Sequence, residues 1–130
     1  MNTPDRYDRE NASQAFAAIA RQTITNGGGT FRRETGAPVT LTTGYTVGVG
    51  VAAQTTLATL ALGHIAGLLA KEWPTTAPAN AQYVGTWIDG TTLYVDHVTV
   101  ISDLGIALSL AARHNELAIW DNANGCSIIL

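Results

Sequence analysis

The residues with the clearest chemical potential are His97 and Thr99, which form a His-x-Thr triplet. Phosphoester cleavage by paired histidines needs two such triplets facing each other, with one histidine as the base and the other as the acid. This chain has one triplet, because His64 and His114 are followed by other residues. The triplet therefore favours an ordinary strand histidine, and we expect the chain not to be an enzyme.

Two aromatic residues and one arginine have the chemistry to hold a nucleotide. Trp87 and Tyr94 fall on predicted strands, and an aromatic ring beside a cleft stabilises a stacked base by about 1–3 kcal/mol. Arg113 is the only basic residue after Lys71. Its guanidinium matches phosphate geometry, although a cation in the last turn of a helix also stabilises that helix. Both interpretations of the arginine stay open, and such rings more often have a core or interface position.

Other polar residues suggest further contacts but no catalytic or metal centre. Arg32 and Thr99 are additional candidates for polar contacts with a ligand. The three aspartates that matter most have structural explanations: Asp89 belongs to a turn, Asp96 to a strand end and Asp103 to a helix cap. We therefore expect no paired carboxylates. The segment Asn26–Thr30 is rich in glycine but lacks the lysine and helix of a phosphate-binding loop, so a helix end followed by a strand is favoured.

The histidines and the cysteine do not predict a metal site. His64 lies on the apolar face of a predicted helix, where a hydrogen-bonded core or interface histidine is expected. No spacing brings His64, His97 and His114 together as zinc ligands. The single cysteine, Cys126, excludes an intramolecular disulfide and a cysteine-cluster metal site. We expect no cofactor.

Composition limits the range of partners. The net charge is −3 with one lysine, so the chain lacks the cluster of cations that binds long nucleic acids. Charged residues make up 13% of the chain, about half the usual ~25%. Because interfaces are depleted in charge, this indicates burial of surface in a homo-oligomer. The apolar stretch Leu57–Ala70 is too short to cross a bilayer, and a cytoplasmic protein without a membrane partner is predicted.

The pattern of elements predicts one α+β domain over residues 1–130, with an antiparallel sheet and three helices packed against it. Thr3 and Pro4 suit the start of a first helix that ends near Thr25. A second helix, apolar nearly all round, is expected from Thr56 to Glu72 and suits a central position or a subunit interface. Ser102 or Asp103 should cap a third helix that ends at His114-Asn115, with its inward residues at Leu104, Ala107, Leu108 and Ala111.

Strands are expected on both sides of these helices. Short strands are predicted at Thr30–Arg33 and at Gly44–Val49, where the glycines suggest a bulge. Asp89-Gly90 should form a type I′ turn between the strands Tyr83–Ile88 and Thr91–Val95, with the second strand extending through Val98 and Val100. The last strands are placed at Leu117–Trp120 and Ser127–Leu130, the latter at the edge of the sheet.

A set of short motifs resembles a family of small bacteriophage proteins, the Thoeris anti-defence sponges that sequester cyclic ADP-ribose signals. The motifs are Gly28-Gly29-Thr30-Phe31, Thr35-Gly36, Gly44-Tyr45-Thr46-Val47, Gly85-Thr86-Trp87, Leu93-Tyr94-Val95-Asp96 and Ala111–Asp121. The resemblance implies a non-enzymatic homo-oligomer, either a dimer or dimers assembled into a hexamer, with the signal bound in pockets between subunits. Some members also hold cyclic trinucleotides in separate pockets, and a phage-encoded protein would act in the host cytoplasm.

The resemblance also implies roles for individual residues. An aromatic near the hairpin, Trp87 or Tyr94, would stack on the adenine, and Arg113 would contact a phosphate. Two other functions remain open from the sequence. One is an inhibitor that binds a host defence enzyme through its surface, and the other is a small phosphoesterase that uses His97 and Thr99.

Overall fold

The computed structural model describes the backbone of residues 6–130 and the side chains from residue 12 onward. Three helices and six strands follow one another as α1 (Arg6–Asn26), β1 (Gly28–Phe31), β2 (Tyr45–Thr56), α2 (Leu62–Glu72), β3 (Tyr83–Asp89), β4 (Thr92–Ile101), α3 (Leu104–Arg113), β5 (Ala118–Asp121) and β6 (Cys126–Ile129). The predicted cap at Thr3 and Pro4 lies outside the described residues. None of the helices within this part of the chain is long and apolar enough to cross a membrane.

The six strands form one curled sheet in the order β1-β3-β4-β2-β5-β6. Every neighbouring pair is antiparallel. The predicted α+β class with an antiparallel sheet and three helices is therefore confirmed. β6 lies at an edge of the sheet, as predicted for the last strand.

All three helices pack on the same side of the sheet. Leu93 and Val95 of β4 belong to the apolar cluster that contains residues of α1 and α2. Val47 of β2 packs with Ala107 and Ala111 of α3, and it pairs with Thr99 of β4. Because alternate residues of a strand share a side, positions 93, 95, 97 and 99 face the helices. The core is thus divided into two clusters along β4, and none of the helices within residues 6–130 lies on the opposite side.

The second helix is shorter than predicted. It begins at Leu62, whereas residues up to Thr56 continue β2 as a strand. Pairing with β4 along its whole length, from Tyr45 opposite Ile101 to Thr56 opposite Thr92, explains the extension. The predicted irregularity is confirmed, because the register shifts between Gly48 and Gly50 and again further along.

The turn between β3 and β4 differs from the predicted type. Asp89 pairs with Thr92, so the central residues are Gly90 and Thr91 rather than Asp89 and Gly90. Gly90 has a φ of 60°, and Thr91 is not among the residues with positive φ. A positive φ at the first central residue only is typical of a type II′ turn, for which glycine is favoured at that position. The hairpin itself is confirmed, and β4 extends past Val98 and Val100 to Ile101.

The third helix begins and ends near the predicted residues. Asp103 caps it by accepting a hydrogen bond from the backbone N–H of Ile106 at 2.9 Å. Its C-cap is His114, followed by Asn115 with a φ of 57°. Ala107 and Ala111 are buried as expected, but the predicted inward position of Leu104 is wrong, because that side chain is 40% exposed. Leu104 is the first residue of α3 and does not pack against the cluster around Val47, Ala107 and Ala111.

Candidate ligand-binding face

The helix-free face of the sheet presents two aromatic rings side by side. Trp87 and Tyr94 are direct partners across β3 and β4. Their ring centroids lie 6.4 Å apart with an interplanar angle of 62°, an edge-to-face contact. Tyr94 lies between Leu93 and Val95, which face the helices. Because successive side chains of a strand alternate, Tyr94 and its partner Trp87 lie on the side away from the helices. Trp87 is 50% exposed, which leaves ring surface available for a ligand.

Two carboxyl groups lie on the same face, next to this aromatic pair. Asp96 follows Tyr94 by two residues on β4, about 7 Å along the strand. Glu116 lies over Gly48 of β2, where an added Cβ would collide with its carboxylate. The absence of a side chain at Gly48 therefore makes the space that the Glu116 carboxylate occupies.

Burial dominates the electrostatics of the two carboxyls. It raises the pKa of Asp96 to about 7, and the negative charge of nearby Glu116 adds to the increase. Burial also raises the pKa of Glu116, although the positive charge of His114 opposes that change. Within residues 12–130, the Oδ1 atom of Asp96 is buried without a hydrogen-bond partner.

The expectation of no paired carboxyls is wrong for Asp96 and Glu116. The sequence favoured a strand-end position for Asp96, whereas Asp96 lies in the middle of β4 between Val51 of β2 and Gly85 of β3. The alternation of Tyr94, Asp96 and Val98 was the available signal for its side of the sheet. Glu116 carries no local signal, because its position depends on the return of the chain to β2 through β5.

The other predicted ligand contacts are not gathered around Trp87 and Tyr94 within one chain. Thr99 faces the helices and is only 5% exposed. Arg113 is exposed in the last turn of α3, and α3 packs on the opposite side of the sheet from the two rings. Arg32 is exposed immediately after β1, two residues beyond Thr30, which pairs with Gly85. Of the five residues, the structure brings Trp87 and Tyr94 into contact.

His97 lies on the helix side of β4, between the two core clusters. It pairs with Val84 of β3 and Gly50 of β2. Its Nδ1 is buried without a partner among the described residues. Burial lowers the pKa of His97, and the positive charge of Arg33 lowers it further. The sheet thus separates His97 and buried Thr99 from Trp87 and Tyr94.

The remaining sequence motifs have structural roles in the described part of the chain. Asn26 ends α1, Gly27 adopts a φ of 81° and β1 begins at Gly28, so the helix-end interpretation of the glycine-rich segment is confirmed. His64 is partly buried on α2, but its Nε2 has no partner there, unlike the hydrogen-bonded histidine predicted. No group of three histidine, cysteine, aspartate or glutamate side chains from residue 12 onward is arranged to hold a metal ion.

Two surface hollows lie away from the aromatic pair, beside α1 and the segment that follows β1. Their volumes are about 260 and 330 Å³, and both are lined by Arg33, Glu34 and Trp73. The Arg33 guanidinium contacts the Glu34 carboxylate at 3.0 Å. The Trp73 indole N–H donates to the backbone carbonyl of Arg33 at 2.8 Å. These contacts engage one nitrogen of the guanidinium, one oxygen of the carboxylate and the indole N–H.

Comparisons with protein-family models, curated proteins and solved structures found no match for this chain. The class defined by the structure is an α+β protein whose antiparallel sheet carries helices on one side and an aromatic and acidic face on the other. That face is the candidate ligand-binding surface.

Proposed function

We propose that this chain is a non-enzymatic binding protein that sequesters a small cyclic nucleotide signal, a cyclic ADP-ribose isomer or a cyclic oligonucleotide, as an anti-defence sponge. The contact between half-exposed Trp87 and Tyr94 is the observation that carries the proposal. Two rings fixed against each other on rigid strands offer a preorganised surface for a base, which reduces the entropy lost on binding. The ligand class itself comes from the resemblance of the short motifs.

The charges around the rings are compatible with a ligand that carries phosphate. Asp96 has a pKa of about 7, so near neutral pH about half of its negative charge is removed by protonation. This weakens the repulsion of a phosphate near Tyr94. The positive charge for phosphate binding would come from Arg113 and Arg32. Because α3 lies across the sheet from the rings, we propose that Arg113 of a second copy completes the pocket.

The test is native mass spectrometry and calorimetry of the purified protein with a panel of cyclic ADP-ribose isomers and cyclic oligonucleotides. We expect the mass of the protein to increase by the mass of an intact ligand. Trp87→Ala should weaken binding about 5- to 150-fold, which corresponds to the loss of about 1–3 kcal/mol of stacking. Trp120→Ala is the matched control, because Trp120 is 46% exposed on the same face but lies on β5.

Arg113→Ala should abolish binding while the melting temperature and oligomer mass stay unchanged. Wild-type protein that gains no ligand from the panel would remove the proposal. Equal losses in Trp87→Ala and Trp120→Ala would show that the aromatic pair is not the site.

A protein-binding inhibitor of a host defence enzyme is the second candidate. The helix-free face favours it through exposed apolar side chains, since Val51 is 57% and Trp87 50% exposed. Co-purification of a stoichiometric host enzyme, with no small molecule retained, would support this function over the sponge. The phosphoesterase that uses His97 and Thr99 is tested by chromatography of the released ligand, which should be intact after sequestration and linear or hydrolysed after catalysis.

A further inference from the structure

The two edges of the sheet differ in whether another segment of the described chain covers them. Outside β1, the backbone of residues 37–39 runs along the strand: Phe31 bridges to Pro38, and the N–H of Val39 donates to the carbonyl of Thr30 at 2.9 Å. Arginines follow β1 directly. Proline, charge and a covering segment are the usual protections of a sheet edge. The β1 edge has all three.

The β6 edge has none of these protections within residues 6–130. β6 is the last strand of the sheet and pairs only with β5. From residue 117 to residue 130 the sole charged residue is Asp121. That carboxylate accepts hydrogen bonds from the backbone of Ala123 and Asn124 inside the β5–β6 turn. The outer edge of β6 therefore carries no charged side chain that would repel another strand.

Apolar side chains are exposed on both sides of this edge. Ile129 is 75% exposed and pairs with Ala118, which places it on the helix-free side together with Trp120. Leu117 is 83% exposed and Leu130 46%. They are joined by a hydrogen bond from the N–H of Leu130 to the carbonyl of Leu117 at 2.9 Å. A strand added to β6 would cover apolar surface above and below the sheet.

The hydrogen-bond pattern identifies the groups that are available for such a strand. In an antiparallel pair, residues alternate between those that bond to the partner strand and those that point away from it. Because Leu130 bonds inward to Leu117, the alternation directs residues 128 and 126 inward as well. The N–H and C=O groups of Ser127 and Ile129 are therefore directed outward.

We propose that the β6 edge is a subunit interface at which β6 pairs antiparallel with β6 of a second copy about a twofold axis. A register that places Ser127 opposite Ile129 of the second copy uses both outward donors and both outward acceptors of each strand. The pairing is self-complementary, as an isologous interface requires. β6 has no charged side chain that would repel the same strand of a second copy. The inference does not depend on any ligand.

Proline at an outward position tests the backbone pairing directly. Ile129→Pro removes one outward N–H but keeps the bonds between β6 and β5, a position at which edge strands tolerate proline. We expect light scattering to give a dimer, or a larger even assembly, for the wild type and half that mass for Ile129→Pro. Ile129→Ala keeps the N–H and is the matched control. It should remain dimeric with a dissociation constant raised about tenfold, because apolar burial is lost while the backbone bonds remain.

Hydrogen exchange provides a second measurement that does not depend on the folding of a variant. In the wild type, the amides of Ser127 and Ile129 should exchange slowly at high protein concentration and faster on dilution, while the amide of Ile128 stays slow. Ser127→Pro repeats the first test at the other outward residue if Ile129→Pro does not fold. The proposal would be overturned by a wild type that is a monomer or an assembly with an odd number of copies. It would also be overturned by an Ile129→Pro or Ser127→Pro variant with the wild-type mass. Fast, dilution-independent exchange at both outward amides would do the same.

Discussion

At the scale of single residues, the environment of Asp96 differs most from what its type suggests. A carboxyl in the middle of a strand would ordinarily face water and ionise. Here it is flanked by Gly85 and Val51 on the neighbouring strands, and Glu116 adds a like charge. Asp96 lies two residues from Tyr94 on β4, so this buried carboxyl belongs to the proposed ligand face. Trp87 and Tyr94, by contrast, are where the strand pattern predicted them.

The raised pKa of Asp96 predicts how stability depends on pH. Unfolded Asp96 ionises near 3.8, whereas the folded pKa is about 7. Between these values the folded state binds more protons, so the free energy of unfolding should decrease as pH rises from about 4 to about 7. Asp96→Asn should flatten this part of the curve, since the amide does not ionise. Urea denaturation at a series of pH values measures the effect.

Glu116→Gln is the companion variant for that experiment. Removing the like charge should lower the pKa of Asp96 and move the decrease in stability to lower pH, while burial keeps part of the shift. A wild-type curve without this decrease, or an Asp96→Asn curve with the same slope as the wild type, would contradict the buried position of the carboxyl.

At the scale of elements, a buried polar contact ties α1 to the sheet. The hydroxyl groups of Thr23 and Thr86 lie 2.6 Å apart, and Thr23 also donates to the carbonyl of Ile19 at 2.8 Å. Both side chains are almost fully buried. Leaving one such group unpaired costs more than the net value of the bond. This contact fixes the rotation of α1 above β3.

A double-mutant cycle measures that contact. Thr23→Val and Thr86→Val should each lower the free energy of unfolding by about 1–3 kcal/mol, because each leaves a buried hydroxyl or carbonyl without its partner. The double variant should lose clearly less than the sum of the two, since the partner hydroxyls are removed together. Denaturant unfolding of the four proteins gives the comparison. Additive losses would mean that the hydroxyls do not interact.

At the scale of the whole molecule, two apolar clusters share one sheet. Ile65 of α2 belongs to the first cluster and Ile119 of β5 to the second. β2 and β4 contribute side chains to both regions, so neither cluster is enclosed without the other. His97 lies on the helix side of β4 between them. Because the two clusters share β2 and β4, we predict that they unfold together.

Substitutions in the two clusters test this cooperativity. Ile65→Ala and Ile119→Ala should each cost about 2–5 kcal/mol, the usual penalty for removing a buried isoleucine. Each variant should still show a single transition whose midpoint is the same by helical circular dichroism and by tryptophan fluorescence. Two separate transitions in either variant would show that the clusters are independent folding units.

Much of this architecture follows from local sequence, for physical reasons that act over a few residues. Alternation and turn glycines predict the β3–β4 hairpin, and Asp103 predicts the start of α3 because a carboxylate can accept the free N–H groups of the first turn. The start of α2 was predicted too early, since the apolar period includes Leu57, Leu60 and Ala61, which lie in the irregular segment between β2 and α2. The type of the hairpin turn was missed because pairing of Asp89 with Thr92 moved the turn by one residue.

Tertiary structure decided the features that depend on contacts between distant residues. The sequence by itself determined the α+β class, the low charge and the placement of Trp87 and Tyr94 on neighbouring strands. Only the folded chain placed Glu116 over Gly48 and buried Asp96, because β5 returns beside β2 through pairing that no local pattern encodes. The fold also covered one edge of the sheet and left β6 open. Side-chain alternation is a property of each strand, whereas strand order and the groups that face each other across it depend on the whole chain.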